Sequence, residues 1–589
     1  MKKKLICLSL ILMGFVISCG DEFAETPAVG ALSPENLVNP QGVDLLLTAT
    51  YSLLDGWRNS IQGNQFAVSG DNWWFDVIAD DAHKGSTDSD QGDLELVEEN
   101  DWQTSNGYFR AKFTSLYAGV NRANAVLSVI NGIDLTTLQP SEAEAISNQA
   151  AEARFLRAHF YFSLIKIFGN VAIVSVENYD AQEFNQPNVE GSPVSAIGDS
   201  PAWAQVEADF QFAVENLPAT RADQPEAGRP TAIVARAYLG KAHLYQSDWA
   251  NALTELTAVI NSGEFALNPN YLDNFTAAGE NGAESVFAIQ FAADGGQSFN
   301  GNRGGTLNFP GGPPIGDNGT CCGFYQPTQD LANAFQVDAN GLPLFDTFND
   351  SDFSSDYGIP SDAAFTPDTT TPVDPRIDYT VGRRGIDYNG FGENIGADWI
   401  RATFADFSGP YLPKKNVYQA NELGTSQGTG AWGQQHSGVN YNIIRYADVL
   451  LMAAEAAVET GDLATALNYV NQVRARASNT PVVQAIDGSG PAANYQVGEY
   501  SSFPDANFAR DAVRFERRVE LGMEGHRLFD LRRWGVSSQV LTEYYSNEGR
   551  AIPPFGASVN PYDTRQDLCP IPLDALGLSG GTLTQNPGY

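Results

Sequence analysis

The chain has 589 residues, 43% apolar and 11% aromatic, enough to bury a large core and to argue against global disorder. Its formal charge of −37 repels nucleic acid and anionic membrane, and disfavours a strongly anionic ligand. The same balance fits a neutral ligand.

Lys2, Lys3 and Lys4 precede an apolar run, Leu5 to Ile17, that is too short to span a bilayer and has the length of a secretory signal. Val16-Ile17-Ser18-Cys19-Gly20 resembles a bacterial lipobox, which implies cleavage before Cys19 and lipid attachment on its sulfur. Residues 1–18 are then a signal peptide, 19–40 a lipid-anchored tether rich in Pro, Gly and Asn, and 41–589 a single domain. Loss of three lysines and no acid with the signal takes the charge to −40.

The body opens with a helical pattern from Gln41 to Trp57. Residues 71–101 read as a loop carrying Asn72, Trp73, Trp74, Asp80 and Asp81. Asp88, Asp90 and Glu99 follow at an EF-hand-like spacing, but Asp93 stands where that loop needs Gly, so a solvated acidic loop is expected. Helical spacing returns at Tyr108–Ile130 and again from Ser141 to a stop at Gly169. His159 and His243 lack a second ligand at metal spacing and are expected as packed helical residues. Residues 231–262 and 442–478 each read as two helices, joined at Ser247-Asp248 and at Gly461-Asp462, similar to tetratricopeptide repeats. Such pairs stack into a curved array.

From about 276 to 440 helical periodicity vanishes and Gly, Asn, Pro, Asp and Thr rise. Short strands are expected at Ser285–Phe291 and Tyr411–Pro413. A loop region of this length inside a globular chain is usually functional. It holds Cys321 and Cys322, then Phe324 and Tyr325, and later Trp432 in a second Gly-rich stretch. Three states stay open for the cysteines: a vicinal Cys321–Cys322 disulfide, reduced thiols, or a bond from one of them to Cys569. Gly424-Thr425-Ser426-Gln427-Gly428 matches a nucleophile-elbow pattern without the strand that context requires. No motif for a metal or a cofactor is present.

Sugars bind by laying C–H faces on aromatic rings while Asp, Asn, Gln and Arg take the hydroxyls. Loop position and residue type therefore nominate Asn72, Trp73, Trp74, Asp81, Phe324, Tyr325 and Trp432 as a glycan site, with no catalytic residue. A second cluster, Arg510–Gly535, places Glu516, Glu520 and Glu524 beside His526. Its arginines at i,i+3 and i,i+4 spacing favour an ionic clasp over acid–base chemistry.

ERRVELGMEGHRLFDLRRWG (Glu516 to Gly535) closely resembles the hallmark helix of SusD/RagB-like outer-membrane lipoproteins. So do EARFLRAHFYFSLIKIFGNVAIV (Glu152 to Val174) and the ending from Pro570 to Tyr589. The resemblance implies a mostly α SusD-like fold, with a tetratricopeptide-like helix-pair scaffold and an irregular, loop-rich ligand-binding half. It also implies a non-catalytic surface glycan-binding protein, lidding a SusC-like TonB-dependent transporter in the outer membrane. Asp21 and Glu22, just after the lipobox, resemble a surface-export signal and place the protein on the cell exterior. Peptide uptake and a surface glycoside hydrolase are the rival functions.

Overall fold

A computed structural model describes residues 34–589 apart from 57–63, 65, 69–72, 190–200, 294–300, 312–321, 402, 405, 407, 416 and 430–434. The signal, the lipobox with Cys19, and the site candidates Asn72, Cys321 and Trp432 lie outside the described residues.

Helix α1 (Pro40–Tyr51) is capped by the Asn39 side chain, which accepts from the Gly42 N–H at 3.0 Å. The expected loop at 71–101 is instead built of α2 (Trp73–Val77), β1 (Ala82–Gly85) and α3 (Gly92–Glu98). These elements are too short for periodicity to reveal. Helices α4 (Gly107–Asn131) and α5 (Pro140–Phe168) follow. The α5 cap lies ahead of the expected Ser141, because Pro140 takes the first helical position and Glu142 accepts from the Gln139 N–H at 3.0 Å. Gly169 stops it at φ +69°, where an added Cβ would lie 2.6 Å from the Leu568 side chain. Next come α6 (Pro201–Asn216), α7 (Ala232–Tyr245) and α8 (Trp249–Asn261).

The loop-rich segment contains β2 (Ser285–Ile289) and β3 (Phe324–Pro327) and ends at β4 (Tyr441–Arg445). β2 pairs antiparallel with β4, Ile289 facing Tyr441, so the segment leaves and re-enters the scaffold at one place. The chain closes with α9 (Tyr446–Glu459), α10 (Leu463–Asn479), α11 (Ala506–Leu521), α12 (Arg527–Arg533) and α13 (Ser537–Ala551).

From α4 to α11 each long helix packs on the next, the array that the helix pairs imply. The expected turns hold: Asp248 and Asp462 cap α8 and α10 through their side chains. One core cluster runs from Val43 to Ile571 and joins scaffold and loops.

The Arg510–Gly535 stretch is the clasp its spacing implies. Glu516 binds Arg376 at 2.8 Å and Arg474 at 2.6 Å. Glu520 meets Arg376 at 2.7 Å, with Arg445 and Arg476 beside it, and Glu524 takes Arg445 and Lys415 at 2.8 Å each. Burial alone would raise the Glu520 pKa, but Arg476, Arg445 and Arg376 hold it far below the usual carboxylate range. Arg517 ties α11 to Asp448 of α9 at 2.8 Å, and the Trp534 indole donates to Glu455 at 2.7 Å. Glu516, Glu520 and Glu524 are thus all held by cations as part of the structure.

His83 on β1 is buried between Glu98 at 2.8 Å and Glu548 at 2.9 Å. Burial works to lower its pKa; the hydrogen bonds to Glu548 and Glu98 outweigh it and raise the pKa to about 9. The folded value exceeds the unfolded one, so this stabilisation is full below about pH 6.5 and is lost as pH rises through about 9. We expect a loss on the order of 3 kcal/mol across that window, read as a falling melting temperature. The same window should be flat in His83→Gln, and an equal slope in both proteins would contradict this role.

Candidate functional site

Of the rings nominated from sequence, the four that are described, Trp73, Trp74, Phe324 and Tyr325, are core residues. Trp73 and Trp74 sit on α2, wedged between α4 and α12. Trp74 stacks on Phe75 at 3.8 Å and meets Tyr108 edge-on at 5.5 Å, while Phe75 meets Phe529 at 5.0 Å. Trp73 packs edge-on to Tyr325 at 5.3 Å. Tyr325 and Phe324 on β3 are fully buried, and the Tyr325 hydroxyl donates to Asp76, which also accepts from the Gly525 N–H at 2.8 Å. Asp81 is a counter-ion of α11, bound to Arg518 at 3.0 Å. Trp73, Trp74, Asp81, Phe324 and Tyr325 therefore present no face to a ligand. They mount the loops on the clasp. Cys322 is disulfide-bonded to a partner outside the described residues, and Cys569 is a free, buried thiol, which removes the Cys569 alternative.

Two of the segments that carry these candidates nevertheless meet. β1 pairs antiparallel with β3, Ala82 facing Pro327 and Gly85 facing Phe324. The approach is close: a Cβ on Gly85, at φ +77°, would lie 2.3 Å from the Gly323 carbonyl. Beyond the strands the Ser86 N–H donates to Gly323 O at 2.9 Å, and Cys322 and Gly323 bond to Leu307 and Phe309. Gly311 donates to Trp399 O at 2.8 Å, and the Asp88 N–H donates to Asp406 at 3.1 Å. Arg401 pairs with Asp90. From beneath, the buried Lys84 ammonium donates to the carbonyls of Gly85, Thr87 and Asp90 at 2.8–2.9 Å and pairs with Glu95 at 3.0 Å. One cation thereby fixes the whole 85–90 turn.

This laced surface carries its own ring. Phe404 is 45% exposed, and its ring lies edge-on to half-buried Tyr357 at 6.1 Å. Exposed Arg401 and Thr403 and half-buried Asp406 flank it in the chain, and half-buried Asp90 is paired with Arg401. Phe404 escaped the sequence reading because no Gly-rich run or pair of adjacent rings marks it.

A second concavity lies across α13. A groove of about 710 Å³ is lined by half-buried Phe345, Phe348, Phe515 and Trp534, with Asp346, Asp350, Asp511 and Glu543 among its acids. The clasp pairs of Asp80, Asp330, Arg518 and Arg527 lie within it.

Comparison with known proteins adds to this geometry. The family model described as the SusD family matches residues 283–589, and one described as "Starch-binding associating with outer membrane" matches 56–244. The chain is similar to SusD-like protein P2 of Formosa agariphila, 24% identical with all of both chains covered. SusD-like protein P25 of the same organism is 25% identical over 80% of this chain and 78% of its own length. Among solved structures, a laminarin-binding SusD-like protein superposes with TM-score 0.65 at 22% identity, covering 93% of this chain and 99% of that one. Surface glycan-binding protein A of Bacteroides thetaiotaomicron, in complex with laminarihexaose, superposes at 0.62 with 19% identity and the same coverage.

Proposed function

The chain belongs to the SusD family, and from that premise we propose that it captures a neutral glycan at the cell surface without breaking a bond. In this reading Cys19 carries the lipid, the protein faces outward from the outer membrane, and it delivers its ligand to a SusC-like TonB-dependent transporter. The observation that carries the proposal is the face laced from residues 86–90, 307–311, 322–324 and 397–401, with Asp406 bonded to the Asp88 N–H and the Phe404–Tyr357 pair beside it. Each well-placed ring contributes on the order of 1–2 kcal/mol, so the two rings supply about 2–4 kcal/mol and hydrogen bonds from the polar groups beside them must carry the rest of even a millimolar affinity, about 4 kcal/mol. The net charge favours an uncharged chain such as a β-glucan, and the laminarin-binding neighbours point the same way.

The acidic rim of the groove favours a second reading, a lid for basic peptides. Affinity gels containing laminarin, starch or an anionic polysaccharide separate the readings, together with a lysine-rich peptide titrated in solution. We expect retardation by a neutral glycan, no new reducing ends on incubation, and no peptide binding. Peptide binding without glycan binding would overturn the assignment.

A further inference from the structure

Inside the helix scaffold, basic side chains converge on a small cavity of about 40 Å³. Lys112 comes from α4, His159 and Lys166 from α5, Lys241 from α7 and His526 from the turn before α12. The concentration runs against the charge of the chain, which is −37 overall.

The nearby carboxylates are already shared. Asp448 binds Lys241 at 3.0 Å and Arg517 at 2.8 Å. Asp530 binds Arg517 at 3.1 Å and Arg533 at 2.8 Å. Lys166 has no carboxylate within ion-pair distance among the described residues, and its ammonium lies 4.4 Å over the Phe529 ring. Burial, then the charges of Lys241 and Lys112, hold the Lys166 pKa well below the usual lysine range. Burial and the same lysines push His159 down to about 3, and burial with Lys241 takes His526 to about 4. Both histidines are therefore neutral near pH 7, and the lysine charge that faces this space, that of Lys166 above all, is costly there unless something negative sits beside it.

We propose that this cavity binds one small inorganic anion of chloride size, held between Lys166 and Lys241 with His159, His526 and Lys112 around it. The volume sets the class. One water needs roughly 10–15 Å³ of such space, so the cavity takes a single small ion and excludes a sugar or a phosphate ester. Bound there, the anion supplies the counter-charge that Lys166 lacks. It also joins α4, α5 and α7 to the α12 turn, which makes it a stabilising ligand of the scaffold.

The test compares thermal unfolding of the purified protein in sodium chloride and in sodium gluconate at one ionic strength. A crystal soaked in bromide gives the second measurement. We expect stabilisation that saturates with chloride, an anomalous peak between Lys166 and Lys241, and at least a tenfold weaker chloride dependence in Lys166→Met. Equal dependence in that variant overturns the proposal, as does a peak without saturable stabilisation, an adventitious ion only. If Lys166→Met does not fold, the wild-type protein decides: peak and saturation together support the site, and absence of either overturns it.

Discussion

Replacing Glu520 with alanine is expected to cost about 3–5 kcal/mol of stability, the range for breaking a buried ion pair by removing one partner. Glu520 is fully buried and receives Arg376, Arg445 and Arg476. Its removal leaves three guanidiniums in the core, two of them within 6 Å of the Tyr271 ring. Water cannot reach them, and Glu516, Glu524, Glu284 and Asp374 already serve as their other partners. Urea unfolding gives the cost, and glycan titration of the folded fraction should match wild type. Glu520→Ala with native stability, or folded normally with lost binding, would show that the stretch is no clasp.

Trp74→Ala is the second large effect, about 3–5 kcal/mol for emptying a fully buried aromatic site. The indole lies among Phe75, Tyr108 and Phe109 and anchors the short α2 to α4. From sequence alone this substitution is a test of ligand binding. In the fold it is a test of the core. We expect a large drop in melting temperature with affinity within about twofold in whatever folds. Native stability with lost binding would return Trp74 to the ligand.

That contrast marks what the residues made legible. Long helices were readable because their apolar faces recur over many turns, as in α5, and because Asp248 and Asp462 announce the starts of α8 and α10. The clasp was readable because Arg517, Glu520 and Glu524 share helical spacing. Burial of Trp73, Trp74, Phe324 and Tyr325 was not. Polar residues stand near them in the chain, Asp76, Asp80, Asp81 and Gln326, and these are themselves buried. Asp81 meets Arg518 across 437 residues, and Asp80 meets Arg527 across 447. Polar surroundings in sequence therefore mimicked exposure. The joining of loops 82–91 and 322–327 was also hidden, because β1 is four residues long, buried throughout and shows no alternation. The exposure of Phe404 and the partial exposure of Phe345 and Phe348 come only from tertiary placement.

The central claim is that the loop face, and not the groove across α13, holds the glycan. Calorimetric titration of laminarihexaose into wild type, Phe404→Ala and Phe348→Ala tests it most directly. The account predicts about a tenfold loss for Phe404→Ala, roughly 1.4 kcal/mol, and a change within about twofold for Phe348→Ala. Binding unchanged in Phe404→Ala and lost in Phe348→Ala would move the site to the groove and contradict it.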